Sequence, residues 1–100
     1  MRFKELLMDD RSIKNQVEIT NILKSKKFYW LVDSEIENAK IEIKNSTLIW
    51  YAGDFYSGNW KFGIFKSGNF FGNWQNGIFE GGNFKGNWNS GINHCDIKNK

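Results

Sequence analysis

Residues 56–91 read YSGNWKFGIFKSGN, FFGNWQNGIFEGGN and FKGNWNSGI, three copies of a fourteen-residue unit in tandem. Each copy sets an aromatic, a glycine and a tryptophan at alternate positions: Tyr56, Gly58, Trp60; Phe70, Gly72, Trp74; Phe84, Gly86, Trp88. Asparagine precedes every one of these tryptophans. All ten glycines fall between Gly53 and Gly91, and Phe or Trp stands two residues after each of Gly53, Gly58, Gly63, Gly68, Gly72, Gly77, Gly82 and Gly86. Taken that way, the spacing is five, five, four.

This pattern allows two architectures. The favoured one is an antiparallel β-meander of stacked hairpins, one per repeat. Phe70, Gly72 and Trp74 then share a face, and Asn76-Gly77 supplies a turn pair that accepts positive φ. The glycine between two aromatics leaves a hollow for a neighbouring ring. The alternative is a β-solenoid similar to the pentapeptide-repeat proteins, in which a small residue stands two before a bulky one, as in Gly68-Asn69-Phe70. Against it, a fourteen-residue turn has three short sides, and three inward rings per turn are expected to crowd the tube.

The runs Tyr56-x-Gly58-x-Trp60-x-x-Gly63, Phe70-x-Gly72-x-Trp74-x-x-Gly77 and Phe84-x-Gly86-x-Trp88-x-x-Gly91 resemble the first half of a MORN repeat, a family of stacked β-hairpins. The second half of that unit is missing. The run is also similar to repeats in small uncharacterised proteins of tailed phages. Either resemblance implies a binding or scaffolding role and carries over no catalytic residue.

Ahead of the repeat, Phe3, Leu6 and Leu7, then Ile13, Val17 and Leu23, recur near helical spacing, which predicts two short helices or one bent helix over residues 3–27. Asp9, Asp10 or Ser12 is the expected cap of the second segment. Lys24, Lys26 and Lys27 suit a helix C-terminus. From Phe28 the period changes to two: residues 28–32 and 39–43 read as strands, Lys44-Asn45-Ser46-Thr47 as a turn, and Leu48-Ile49-Trp50-Tyr51 as a further strand. The expected fold is therefore α+β, mainly β, in a single domain: a helical cap over 1–27, non-repeat strands over 28–52, the repeat over 53–93 and a tail over 94–100.

One hundred residues suffice for one modest core. The net charge of +3 divides into nine basic against eight acidic residues over 1–52 and five against three over 53–100, so the repeat is nearly neutral. It lacks the basic stripe that phosphate contacts demand. The single cysteine, Cys95, excludes an internal disulfide and a four-ligand zinc site, and fits a reducing cytoplasmic setting. Neither a signal peptide nor a membrane-spanning run is evident. Twelve Lys against two Arg, thirteen Asn, eleven Ile and no Pro is the usage expected of an AT-rich genome.

His94-Cys95-Asp96 is the one cluster of catalytic residue types, and adjacent residues on an extended chain point to opposite sides, which defeats a nucleophile–base arrangement. Asp33, Glu35 and Glu37 read as a solvated edge or turn rather than a metal loop. No catalytic, cofactor or metal site is expected. The aromatics are the candidates for binding. Most are needed as core, because Ile64, Ile78 and Ile92 are the main aliphatics of the C-terminal half. The partner-binding candidates are Tyr51, Phe62 and Phe71, which break the repeat's pattern, together with Trp60, Trp74 and Trp88.

The sequence thus points to a non-enzymatic protein-binding module, in concrete form a phage or mobile-element accessory protein that sterically inhibits a host defence complex such as a CRISPR effector. A second reading is a nucleic-acid or other ligand-binding module that uses exposed aromatics with Lys24, Lys26 and Lys27. A third is a self-assembling homo-oligomer joined through the terminal strand.

Overall fold

The computed structural model describes residues 1–94. Strands β1 (Phe3–Met8) and β2 (Arg11–Ile13) form a hairpin, not the expected first helix. Met8 pairs with Arg11, so the loop is Asp9 and Asp10, with φ of 51° and 60°, the double left-handed geometry that matches strand twist. The helical spacing of Phe3 and Leu6 has another cause. A bulge between Phe3 and Glu5 inserts a residue, and both apolar side chains return to the same buried face.

Helix α1 (Gln16–Ser25) is capped by Asn15, whose Oδ1 accepts from the Glu18 amide at 3.0 Å, while Ile19 and Leu23 bury its inner face. Asp9, Asp10 and Ser12 lie in the preceding hairpin and do not cap it. The basic end forms as expected: Lys24 lies in the last turn, and Lys27, at φ 67°, reverses the chain so that the Phe28 amide donates to Leu23 O at 2.8 Å. Residues 28–32, expected as a strand, instead hold the single turn α2 (Tyr29–Val32). Adjacent Trp30 and Leu31 are both buried, which the alternation of a one-sided strand would not permit. The Arg2 guanidinium donates to the carbonyls of Val32 (2.8 Å) and Ser34 (2.7 Å) and holds the turn's C-terminal end.

Strands β3 (Glu35–Lys44) and β4 (Thr47–Ser57) form the expected antiparallel hairpin around Asn45 and Ser46, with φ of 52° and 63°. β1 lies parallel to β3 on its other edge. β4 bends at Gly53, opposite the left-handed Asn38, and this bend is the first corner of a coil.

Beyond that corner the chain is a three-sided β-solenoid of about three turns, the second of the two expected architectures. Its sides are two-residue strands: β5 (Asn59–Trp60), β6 (Ile64–Phe65), β7 (Asn69–Phe70), β8 (Asn73–Trp74), β9 (Ile78–Phe79), β10 (Asn83–Phe84), β11 (Asn87–Trp88) and β12 (Ile92–Asn93). Every pair within the coil is parallel: β4–β6–β9–β12 on one side, β4–β7–β10 on the second, β5–β8–β11 on the third. The antiparallel meander does not form in the repeat. The antiparallel hairpins of the described residues, β1–β2 and β3–β4, both begin ahead of it.

The crowding argument fails because of ring orientation. Rings of one column lie nearly parallel: Trp60, Trp74 and Trp88 are 5.1 and 5.3 Å apart at 7° and 6°, and Phe55, Phe70 and Phe84 are 4.7 and 5.3 Å apart at 14° and 10°. Rings of different columns meet edge to face, as Phe65 meets Phe70 at 86°. Each ring sets its edge against a neighbour's face, both favourable aromatic geometries at once. The centroid spacing stays close to the ~4.8 Å separation of adjacent strands, so ladder and rings share one repeat distance.

Glycine closes the corners. At Gly77, φ is 121°, and a Cβ would stand 2.5 Å from Gly63 O and 3.1 Å from Trp60 Nε1. Gly77→Ala is expected to cost about 2–4 kcal/mol, from left-handed strain plus overpacking. Gly81→Ala, where φ is not positive, should stay within about 0.5 kcal/mol. Urea unfolding of the two variants checks the contrast.

Candidate functional site

The sequence candidates separate sharply by position. Trp60 and Trp74 are fully buried in the ring columns, and Trp88 is half-buried on the last described coil. Tyr51 is half-buried on β4, its hydroxyl donating to Glu42 Oε1 at 2.6 Å. Phe71 is exposed on the outer surface, stacked on Tyr56 at 5.8 Å and 11°. Phe62 is 45% exposed and leans on the cap, 5.6 Å from both Phe28 and Trp30.

Of these six aromatics, Phe62 is the one that lines the two grooves at the junction of cap and coil. On one side lies a groove of about 490 Å³ between α2 and the first coil, lined by Lys27, Tyr29, Asp33, Ser34, Gly58, Asn59 and Lys61, with Trp30 beneath. On the other is a groove of about 340 Å³ where Ile64 and Ile78 stand in consecutive coils beside Ser46 and Thr47. Phe62 is the wall between them.

The local sequence explains the first groove. Trp30 packs edge to face on Trp60 at 5.0 Å and seats α2 over the third side of the coil. Ser34, whose Oγ donates to Trp30 O at 2.6 Å, meets the corner at Gly58, where a Cβ would clash with it. The close approach leaves Tyr29, 55% exposed, on one lip and Phe62 on the other.

Of the three candidate lysines only Lys27 lines this groove. Lys24 borders a separate shallow depression on α1 with Gln16, Val17, Thr20 and Asn21, and Lys26 is exposed at the helix C-cap. Sequence reasoning missed Tyr29 and Lys61. Tyr29 was hidden by the strand pattern. Lys61 was legible: Lys61-Phe62 occupies the place of Gln75-Asn76 and Asn89-Ser90 in the later copies.

Asparagines on the outer surface serve the coil. Asn73 Nδ2 donates to Asn59 Oδ1 at 3.3 Å and Asn87 Nδ2 to Asn73 Oδ1 at 2.9 Å, while Asn83 and Asn69 step in the same way to Asp54. Among the described residues no cluster of three or more His, Cys, Asp or Glu is placed to hold a metal, and no helix is long and apolar enough to cross a membrane. In the His94-Cys95-Asp96 cluster, Cys95 and Asp96 lie outside the described residues. Asp33 lines the groove, and Glu35 accepts from Ser57 Oγ at 2.9 Å. Glu37 pairs with the N-terminal ammonium at 2.9 Å. In comparison with known proteins, the chain matches no family model, no curated protein and no solved structure.

Two outcomes follow for the candidates outside the groove. Trp60→Ala should destabilise the fold by about 3–5 kcal/mol. Phe71→Ala should cost less than about 1 kcal/mol, as measured by chemical denaturation. For Tyr51, the hydrogen bond to Glu42, then burial and the Glu42 charge, raise the phenol pKa above its ordinary value. A group whose folded pKa is raised stabilises below its unfolded pKa and loses that contribution as pH climbs through the folded value. The alkaline fall in stability above about pH 10 should therefore be shallower in Tyr51→Phe than in wild type, read by urea midpoints across pH.

Proposed function

We propose that this protein is a non-enzymatic protein-binding module that engages its partner at the junction of cap and solenoid, with Phe62 at the centre of the contact. The observation that carries the reading is that Phe62 is a large ring, nearly half exposed, forming the common wall of two grooves. Apolar side chains flank it on both sides: Trp30 and Tyr29 in one groove, Ile64 and Ile78 in the other. The charged groups Lys27, Asp33 and Lys61 line the first groove. An aromatic anchor among apolar neighbours with charged groups close by is the composition of a protein interface.

The coil has no need of Phe62. The corresponding positions in the next two copies are Asn76 and Ser90, and the ring columns continue past both. A large ring left 45% exposed at a position where the repeat needs none is a candidate for a contact outside the chain. Steric inhibition of a host complex by a cytoplasmic, phage-like accessory protein is one form such a module takes.

The test compares wild type with Phe62→Asn, the residue of the next copy, in affinity capture from a bacterial host lysate. Phe62→Asn should unfold at the same urea concentration within about 0.5 M and lose the captured partner, while Phe71→Ala retains it. Retention of the partner by Phe62→Asn would overturn the assignment.

A further inference from the structure

The three sides of the coil are not closed alike at the capped end. On two sides the ladder runs on into β4 and from β4 into β3. The third is a separate three-stranded sheet in the order β11–β8–β5, and β5 is its outer strand. Gly58 O, just ahead of β5, accepts from the Asn73 amide at 2.9 Å, and Trp60 O within it accepts from the Gln75 amide at 2.8 Å. Peptide groups alternate along a strand, so the N–H and C=O of Asn59 turn to the opposite edge, where no strand of the described residues lies. That edge opens into the larger groove, since Gly58, Asn59 and Lys61 all line it.

From this juxtaposition we infer that the groove takes an extended, acidic segment of the partner protein, which adds as a strand to the free edge of β5. The inference rests on the binding-module reading above and names the partner's chemistry. Asn59 supplies one donor and one acceptor to the incoming backbone, the unit of strand addition. A large apolar side chain of the segment lies between Tyr29 and Phe62 over Trp30. Carboxylates on either side of it meet Lys27 and Lys61.

Charge decides for an acidic segment. The groove is lined by two ammonium groups against one carboxylate, Asp33. The described ion pairs involve Met1 with Glu37, Lys40 with Glu5 and Lys66 with Glu80, and neither Lys27 nor Lys61 is among them. Lys27 is also held in left-handed backbone at φ 67°, which fixes where its side chain starts. Single-stranded nucleic acid fits less well. Phe62 leans at 39° and 62° against Phe28 and Trp30 rather than lying as an open platform, Asp33 faces incoming phosphates, and the coil beyond offers asparagine ladders instead of a basic track.

The experiment titrates the ¹⁵N-labelled full chain with four probes: a peptide of alternating glutamate and phenylalanine, its lysine–phenylalanine and glutamate–alanine counterparts, and oligothymidylate. The glutamate–phenylalanine peptide should shift the Asn59 amide, slow its hydrogen exchange about tenfold, and shift Tyr29 and Phe62. The other probes should bind at least about tenfold more weakly, and the double variant Lys27→Glu, Lys61→Glu should lose about tenfold in affinity for the first. No Asn59 shift at millimolar peptide, equal binding of the lysine peptide, or oligothymidylate moving the same amides would each overturn strand addition. In lysate capture, a partner lost by Phe62→Asn but kept by the double lysine variant overturns the acidic-segment inference and leaves the binding module standing. A partner kept by Phe62→Asn removes both.

Discussion

The fold depends on a single matched length: the distance between neighbouring strands is also a workable distance between stacked rings. Because both are close to 5 Å, each Trp or Phe lies over its counterpart one turn earlier without pulling the backbone out of register. Edge-to-face contacts then lock the three columns to one another. The narrow tube is filled by flat side chains, parallel within a column and close to right angles between columns. The corner glycines follow from this tightness, since the space where a Cβ would sit is taken by the carbonyl of the turn before and by an indole nitrogen.

Much of this was legible in the sequence, and the parts that were not have identifiable causes. The five, five, four spacing marked the inward rings from Phe55 to Trp88, though not Trp50, which heads one column ahead of the first glycine, and the asparagine before each repeat tryptophan was visible before its ladder was known. What a repeat cannot state is whether successive copies pair parallel or antiparallel, because both put alternate residues on one face. Asn76-Gly77 satisfied a hairpin turn and a solenoid corner equally, since each needs positive φ at glycine. In the cap, the bulge at Phe3 and Glu5 imitated a helical period, and the aromatic run at residues 28–32 imitated a strand where burial of both Trp30 and Leu31 required a helical turn. For the candidate site, deviation from the repeat was the useful signal. It located Phe62, and read one position earlier it would have located Lys61. Tyr29 depended on the seating of α2 by Trp30 on Trp60 and by Arg2 on Val32 and Ser34, contacts between residues thirty or more apart in sequence and therefore invisible to any local pattern.

The cap and the coil make unequal contributions to the junction. β3 and β4 extend two sides of the triangle and bring their own strand geometry to it, including an additional residue in the first turn: Phe55 to Trp60 takes five steps where Phe70 to Trp74 takes four. Ser57, at that widened side, is held by Glu35 of β3. The third side is roofed by a single helical turn, which covers the rings but offers no strand to pair with. The irregular turn is thus the one that meets the cap, and beyond Phe71 the regular turns carry mainly asparagine, isoleucine and scattered charges on their outer surface.

This division separates two properties that are coupled in most small domains, size and recognition. Each fourteen-residue unit added or removed beyond β8 changes the height of the column by about one strand spacing, ~4.8 Å, and leaves the capped end untouched. Selection acting on duplication of a short DNA segment could therefore lengthen the molecule in uniform steps, altering how far it projects from whatever it grips while the grip itself stays as it was.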